Sequence, residues 1–174
     1  MEIKNNLQGV NLINSHLPEM ELEVYQAEKI KKIKLSDYHG QWLILFFYPA
    51  DFTFVCPTEL KELAESYEKF RELKAEIVSV STDTVFAHKA WHDSSPAIGG
   101  INFPMAADPT GKLAKVLAVY LEDEGLALRG TFIVNPNGFI KAIEINDNSI
   151  GRSVQELLRK LQAAIFVDQH GDQV

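Results

Sequence analysis

Apolar positions recur along the chain with three different periods, and each period predicts an element. In residues 20–24 (MELEV) apolar and acidic residues alternate, and in residues 31–35 (KKIKL) apolar residues alternate with lysines. A period of two is that of a strand with one wet face, so the two stretches predict an amino-terminal hairpin. After the Asp37-Tyr38-His39-Gly40 turn, residues 42–48 (WLILFFY) are apolar without interruption, which predicts a central strand covered on both faces. From 58 to 73 the period changes: Leu60, Leu63, Tyr67 and Phe70 recur at helical spacing between charged residues, which predicts one amphipathic helix packed on a sheet. Residues 77–80 read as a short strand and 84–92 as a helix. A further helix is predicted over 111–119, with Leu113, Val116 and Leu117 on its apolar face. Strands over 128–134 and 139–145 flank Asn135-Pro136-Asn137-Gly138, whose Asn-Gly pair can supply the positive φ values of a hairpin turn. Ser153 and Glu156 form a capping-box pattern that opens a last helix, marked by Val154, Leu157, Leu158, Leu161 and Ile165 and ending before Gly171. The order is α/β, with four helices around a mixed sheet.

Length and charge narrow the function classes. A chain of 174 residues fits a single domain spanning 1–174, with residues from about 168 onward the start of a carboxyl-terminal tail. Seventeen Lys and Arg against twenty-four Asp and Glu give 17 − 24 = −7, with no basic block, which argues against a nucleic-acid partner. The longest apolar run, 42–50, is far short of the ~20 residues a membrane-spanning helix needs. The start MEIKNNLQGV lacks the basic and apolar regions of a signal peptide, so a cytoplasmic protein is expected. One cysteine, Cys56, excludes an intramolecular disulfide framework and leaves a lone thiol to be explained.

That thiol stands in FFYPADFTFVCPTEL (46–60), where the buried strand gives way to a helix. Unpaired N–H groups and the helix dipole favour anions at such a junction, so a thiolate is stabilised there and a nucleophile can result. Pro57 suits the first helical turn, where its missing N–H costs nothing. Thr53, three residues earlier, can offer its hydroxyl to the sulfur or to a ligand oxygen, and Pro49 would limit water access. Most free cysteines, however, are buried and structural, and position alone leaves both readings open.

The pattern Pro49-x-x-x-Thr53-x-x-Cys56 resembles the active-site signature of the peroxiredoxin family. The resemblance continues through residues 78–83 (VSVSTD), 88–91 (HKAW), 103–105 (FPM), 108–111 (DPTG), 128–132 (LRGTF) and 137–138, and so covers nearly the whole chain. It is greatest to the typical two-cysteine branch, in particular to the bacterial alkyl hydroperoxide reductase C group. It implies a thioredoxin-like fold with an amino-terminal hairpin extension, and thiol-dependent reduction of hydrogen peroxide and alkyl hydroperoxides through a cysteine sulfenic acid. Carried over residue by residue, Cys56 is the peroxidatic nucleophile, Thr53 hydrogen-bonds the peroxide, Pro49 shields the sulfenic acid, and Arg129 stabilises thiolate and transition state. Glu59 and Arg152 occupy the places of a supporting Glu–Arg network. The resemblance also implies a homodimer assembling into a ring of five dimers, and an external disulfide reductase, either a flavoprotein or a thioredoxin-like protein. No metal, haem, flavin or other cofactor is implied.

The typical branch carries a resolving cysteine near its carboxyl terminus in a Val-Cys-Pro context. Residues 168–174 (DQHGDQV) resemble the stretch just before it, so trimming or truncation one residue short of that cysteine is expected. A one-cysteine cycle resolved by an external thiol is the alternative mechanism, and a non-enzymatic oligomeric holdase the alternative function. A thioredoxin-type oxidoreductase fails because Glu59 stands where Cys-x-x-Cys needs its second thiol. His88 and His92 have the i, i+4 spacing of metal ligands, but Lys89 replaces the glutamate of His-Glu-x-x-His and no third ligand is evident. The 108–112 stretch departs from a phosphate loop, with Ala106 at the upstream glycine position and Leu113 where Ser or Thr is needed.

Overall fold

The computed structural model describes residues 11–54 and 56–171. Strands β1 (Glu21–Gln26) and β2 (Lys29–Lys34) form the expected hairpin, followed by a 3-10 turn at Leu35–Tyr38 and strand β3 (Trp42–Phe47). All six residues of β3 are buried, as an uninterrupted apolar run requires. Ile44 and Phe46 face one hydrophobic cluster while Leu43, Leu45 and Phe47 face the other. Each such side chain contributes about 1.5–3 kcal/mol of burial energy, so β3 anchors both layers.

Helix α1 (Cys56–Glu65) and helix α2 (Tyr67–Glu72) replace the single helix expected over 58–73. The chain breaks at Ser66, whose backbone leaves the helical region (φ −99°, ψ 0°). The break turns Tyr67 and Phe70 onto the sheet, where the Tyr67 hydroxyl donates to Glu76 at 2.5 Å. Strand β4 (Ala75–Ser81), helix α3 (Val85–Ser94) and a short strand β5 (Met105–Ala107), absent from the expectation, follow. Helix α4 is only Lys112–Val116, shorter than expected. It starts after Gly111 at φ +65°, where a Cβ would lie 2.3 Å from the Tyr120 ring, and stops at Ala118, also at positive φ. So short a helix turns Leu113, Ala114 and Leu117 inward and leaves Val116 exposed, contrary to the predicted apolar face. A two-stranded ribbon of β6 (Tyr120–Leu121) and β7 (Leu126–Ala127) precedes β8 (Arg129–Val134) and β9 (Ile140–Asn146). In the turn between β8 and β9 only Gly138 takes positive φ, at +83°. The Asn135 side chain closes this turn instead, accepting from the Asn137 and Phe139 amides at 3.1 and 2.9 Å.

Helix α5 (Val154–His170) is capped by Ser153, whose side chain accepts from the Glu156 amide. The Glu156 carboxylate does not complete the box; it pairs with Arg159 instead. Residues 168–170, expected to begin a tail, form the last turn of α5, closed by the Gly171 amide on the Val167 carbonyl at 2.9 Å. Residues 172–174 lie outside the described residues. Five α-helices are therefore described where four were expected, because the first one divides.

The seven-stranded sheet has the order β2-β1-β5-β4-β3-β8-β9. β3, β4 and β5 run parallel, β1 pairs antiparallel with β5, and β8 antiparallel with β3. The hairpin extension therefore widens the central sheet. The register also decides what meets at the carboxyl end of β3. Phe46 pairs with Thr131, so Arg129, two residues earlier on β8, lies just past that end. Arg129 in turn pairs with Asn146, so the segment after β9 returns to the same place.

Candidate active site

Cys56 is the first residue of α1 and is completely buried. Glu59 follows one turn later on the same helix face. The Nη1 of Arg129 lies 3.4 Å from the Cys56 Sγ and 2.6 Å from Glu59 Oε2, while its Nε donates to the Asn148 carbonyl at 3.0 Å. Arg152, from the segment after β9, grips the same carboxylate twice, through Nε to Oε1 at 3.0 Å and Nη2 to Oε2 at 3.1 Å. Its backbone N–H adds a third bond to Oε1 at 2.7 Å. The Arg152 Nη1 donates to the Gly130 carbonyl and the Thr131 hydroxyl, both at 3.1 Å, and the guanidinium lies 3.5 Å over the Phe46 ring. Burial lowers the pKa of Arg152 while Glu59 opposes that shift.

The charge balance decides what this cluster can do. Two guanidinium groups and one carboxylate, with side chains 3–5% exposed, leave one uncompensated positive charge. Burying unpaired charge is costly, and the Cys56 sulfur, 3.4 Å from Arg129 Nη1, is the group placed beside that excess. The arrangement is suited to an anionic sulfur nucleophile.

The segment leading into α1 holds the other candidate residues. Pro49 is buried just past the end of β3. The Thr53 hydroxyl donates to the Ala50 carbonyl at 3.1 Å, and not to the sulfur. Phe52 takes φ +57° and packs its ring on Trp91 at 5.9 Å, and Phe54 is fully exposed. Asp51, which the sequence reading left without a role, organises this turn. Its carboxylate accepts from the Tyr48 hydroxyl at 2.7 Å and lies 2.7 Å from His88 Nδ1, while its amide donates to Asp83 at 2.8 Å. The spacing of Tyr48 and Asp51 around Pro49 was the available signal.

The histidine pair serves other ends. Nε2 of His88 lies 3.0 Å from the Ala106 carbonyl and Nε2 of His92 3.2 Å from the Ile101 carbonyl, so the two rings have separate partners. Among the described residues no group of three His, Cys, Asp or Glu is placed to hold a metal. At 108–112 the Asp108 carboxylate itself accepts from the Leu113 and Ala114 amides, at 3.2 and 2.9 Å, and so occupies the groups a phosphate would need.

The sequence profile of the AhpC/TSA family matches residues 13–143. The chain belongs to that family. It is 46% identical over 165 residues to alkyl hydroperoxide reductase C of Salmonella typhimurium, covering 95% of this chain and 88% of that protein. It is 44% identical over 167 residues to the protein of the same name from Staphylococcus epidermidis, with the same shares covered. Among solved structures, AhpC of Enterococcus faecalis superposes with a TM-score of 0.92 at 49% identity, over 94% of this chain and 98% of that one. The reduced 2-Cys peroxiredoxin of Plasmodium vivax superposes with a TM-score of 0.89 at 29% identity, over 92% and 86%. The fold is accordingly the thioredoxin-like fold of the peroxiredoxins. No helix among the described residues is long and apolar enough to cross a membrane.

Proposed function

We propose that this member of the AhpC/TSA family is a peroxidase that reduces hydrogen peroxide and alkyl hydroperoxides with Cys56 as the attacking thiolate. The observation that carries the reading is the buried Cys56 Sγ at the start of α1, 3.4 Å from Arg129 in a cluster with net positive charge. The thiolate attacks the terminal oxygen of the peroxide. An S–O bond forms as the O–O bond breaks, leaving a sulfenic acid, and the departing alkoxide or hydroxide takes up a proton to become alcohol or water. Sulfur is oxidised by two electrons and the peroxide reduced by two.

The remaining residues act around that step. Arg129 stabilises the thiolate and the charge that moves onto the leaving oxygen. The Thr53 proton is committed to the Ala50 carbonyl, so its oxygen is left to accept the peroxide O–H. Pro49 keeps water from the sulfenic acid. Glu59 and Arg152 are positioning residues that hold Arg129 against the sulfur. A second thiol condenses with the sulfenic acid, releasing water and forming a disulfide, and an external disulfide reductase, flavoprotein or thioredoxin-like, supplies the two electrons that return the sulfur to the thiol. The protein works in the cytoplasm as a homodimer that builds a ring of five dimers.

The test is the product balance with cumene hydroperoxide and a thiol reductant. Stoichiometric cumyl alcohol, lost in Cys56→Ser, is expected. No more alcohol than in the Cys56→Ser control would overturn the reading and favour a holdase.

A further inference from the structure

The Nε of Arg129 is held by a backbone carbonyl, that of Asn148, at 3.0 Å. A carbonyl on a connecting segment is only as well placed as the path of that segment. The side chain of Asn148 does not fix the path: its Oδ1 is buried without a partner among the described residues. The neighbours fix it. The Asp147 carboxylate accepts from the Ser149 amide at 2.8 Å and from the Ser149 hydroxyl, and the Asp147 carbonyl accepts from the Ile150 amide at 2.9 Å. These bonds close a turn around Asn148, and those from Ser149 hold the Asp147 carboxyl below its ordinary pKa. The same segment then delivers the Arg152 amide and side chain to Glu59.

We propose that Asp147 is a positioning residue for peroxide reduction, closing the turn that aims the Asn148 carbonyl at Arg129 and thereby keeps Arg129 Nη1 against the Cys56 sulfur. The proposal rests on the reading of Cys56 as the attacking thiolate. The side chain acts through its shape and not its charge. A carboxylate near the sulfur disfavours a thiolate, so its charge alone would work in the opposite direction.

Three substitutions separate the two. Asp147→Asn keeps the oxygen that closes the turn and loses the charge. Asp147→Glu keeps the charge but carries the oxygen one methylene too far, and Asp147→Ala loses both. Cys56 is the only thiol in the sequence, so the pH dependence of its alkylation by iodoacetamide reads this site alone. In the 174-residue chain Asp147→Glu and Asp147→Ala are expected to shift that profile to higher pH and to slow the reaction with hydrogen peroxide about fivefold, the scale of one net hydrogen bond. Asp147→Asn should stay within about twofold of wild type on the same scale. A wild-type profile in Asp147→Glu, or an Asp147→Asn as impaired as Asp147→Ala, would overturn the proposal. A wild-type protein that reacts with peroxide no faster than an ordinary thiol would overturn the function instead, and the alkylation profiles would still decide the role of Asp147.

Discussion

Three parallel strands of the sheet run into helices, and the junctions after β3 and β5 handle the same electrostatic problem in opposite ways. At the end of β5, the buried carboxylate of Asp108 accepts from the first amides of α4, so the junction carries its own anion. At the end of β3, α1 opens with a neutral-or-anionic sulfur, and the nearest fixed charges are Arg129 and, through Glu59, Arg152. The first junction is complete without a ligand; the second sets two guanidinium groups against one carboxylate beside the sulfur. A helix start by itself is generic. The excess of buried positive charge around it distinguishes one of these two junctions from the other.

The comparison breaks most severely at Arg129. Arg129→Met removes the donor beside the sulfur, and the second-order reaction with hydrogen peroxide should fall by roughly 10²–10³, the loss seen when one preorganised charge-stabilising donor is deleted; a loss under threefold in stopped-flow would show that the cluster does not act on Cys56. Glu59→Gln comes next and acts on the fold. It leaves two buried guanidinium groups facing each other without their shared carboxylate, and should cost about 3–5 kcal/mol, read as a lower urea midpoint at unchanged m-value. Asp108→Ala should cost less, about 1–3 kcal/mol for two amides left unsatisfied, and should leave the peroxide reaction at its wild-type rate. A slowed reaction in that variant would mean that the two junctions are not independent.

The smallest effect concerns pH. Burial raises the pKa of Asp108 above its unfolded value, with the Ala114 and Leu113 amides pulling it back. A carboxyl with a raised folded pKa binds its proton more tightly when folded. Its contribution to stability is therefore greatest below the unfolded pKa and declines as pH rises through the folded one. Asp108→Asn, which keeps an acceptor and cannot ionise, should gain in stability relative to wild type as pH rises out of the acidic range in parallel urea titrations. A difference that stays flat with pH would remove the ionisation cost from the account.

The parts of this structure that were legible in the sequence are those where one residue type leaves few choices. The unbroken run of β3 permits only a strand covered on both faces, and Ser153 with the spacing of Leu157 and Leu161 permits only a capped helix. Cys56 stood out by position and by the motif around it. Arg129, Glu59 and Arg152 became candidates only through family resemblance, because they lie far apart in sequence and meet through the register of β3, β8 and β9. The break at Ser66 was not legible, since apolar spacing continues across it and only the sheet requires Tyr67 and Phe70 to turn. Nor was the contact of Arg129 with Asn148, which uses a backbone carbonyl that every residue possesses. The single positive φ in the Asn135–Gly138 turn shows the same limit in reverse: the Asn-Gly pair marked the turn, and the Asn135 side chain chose its type.

Cys56 is proposed to attack peroxide as a thiolate because of the charge excess at the β3 junction. Stopped-flow fluorescence of the reduced protein mixed with hydrogen peroxide tests it most directly, because Trp91 packs on Phe52 in the segment that leads to Cys56. A rapid change that grows linearly in rate with peroxide concentration and vanishes in Cys56→Ser is expected. A reaction at the pace of an ordinary free thiol, or a rapid change that persists in Cys56→Ser, would contradict it.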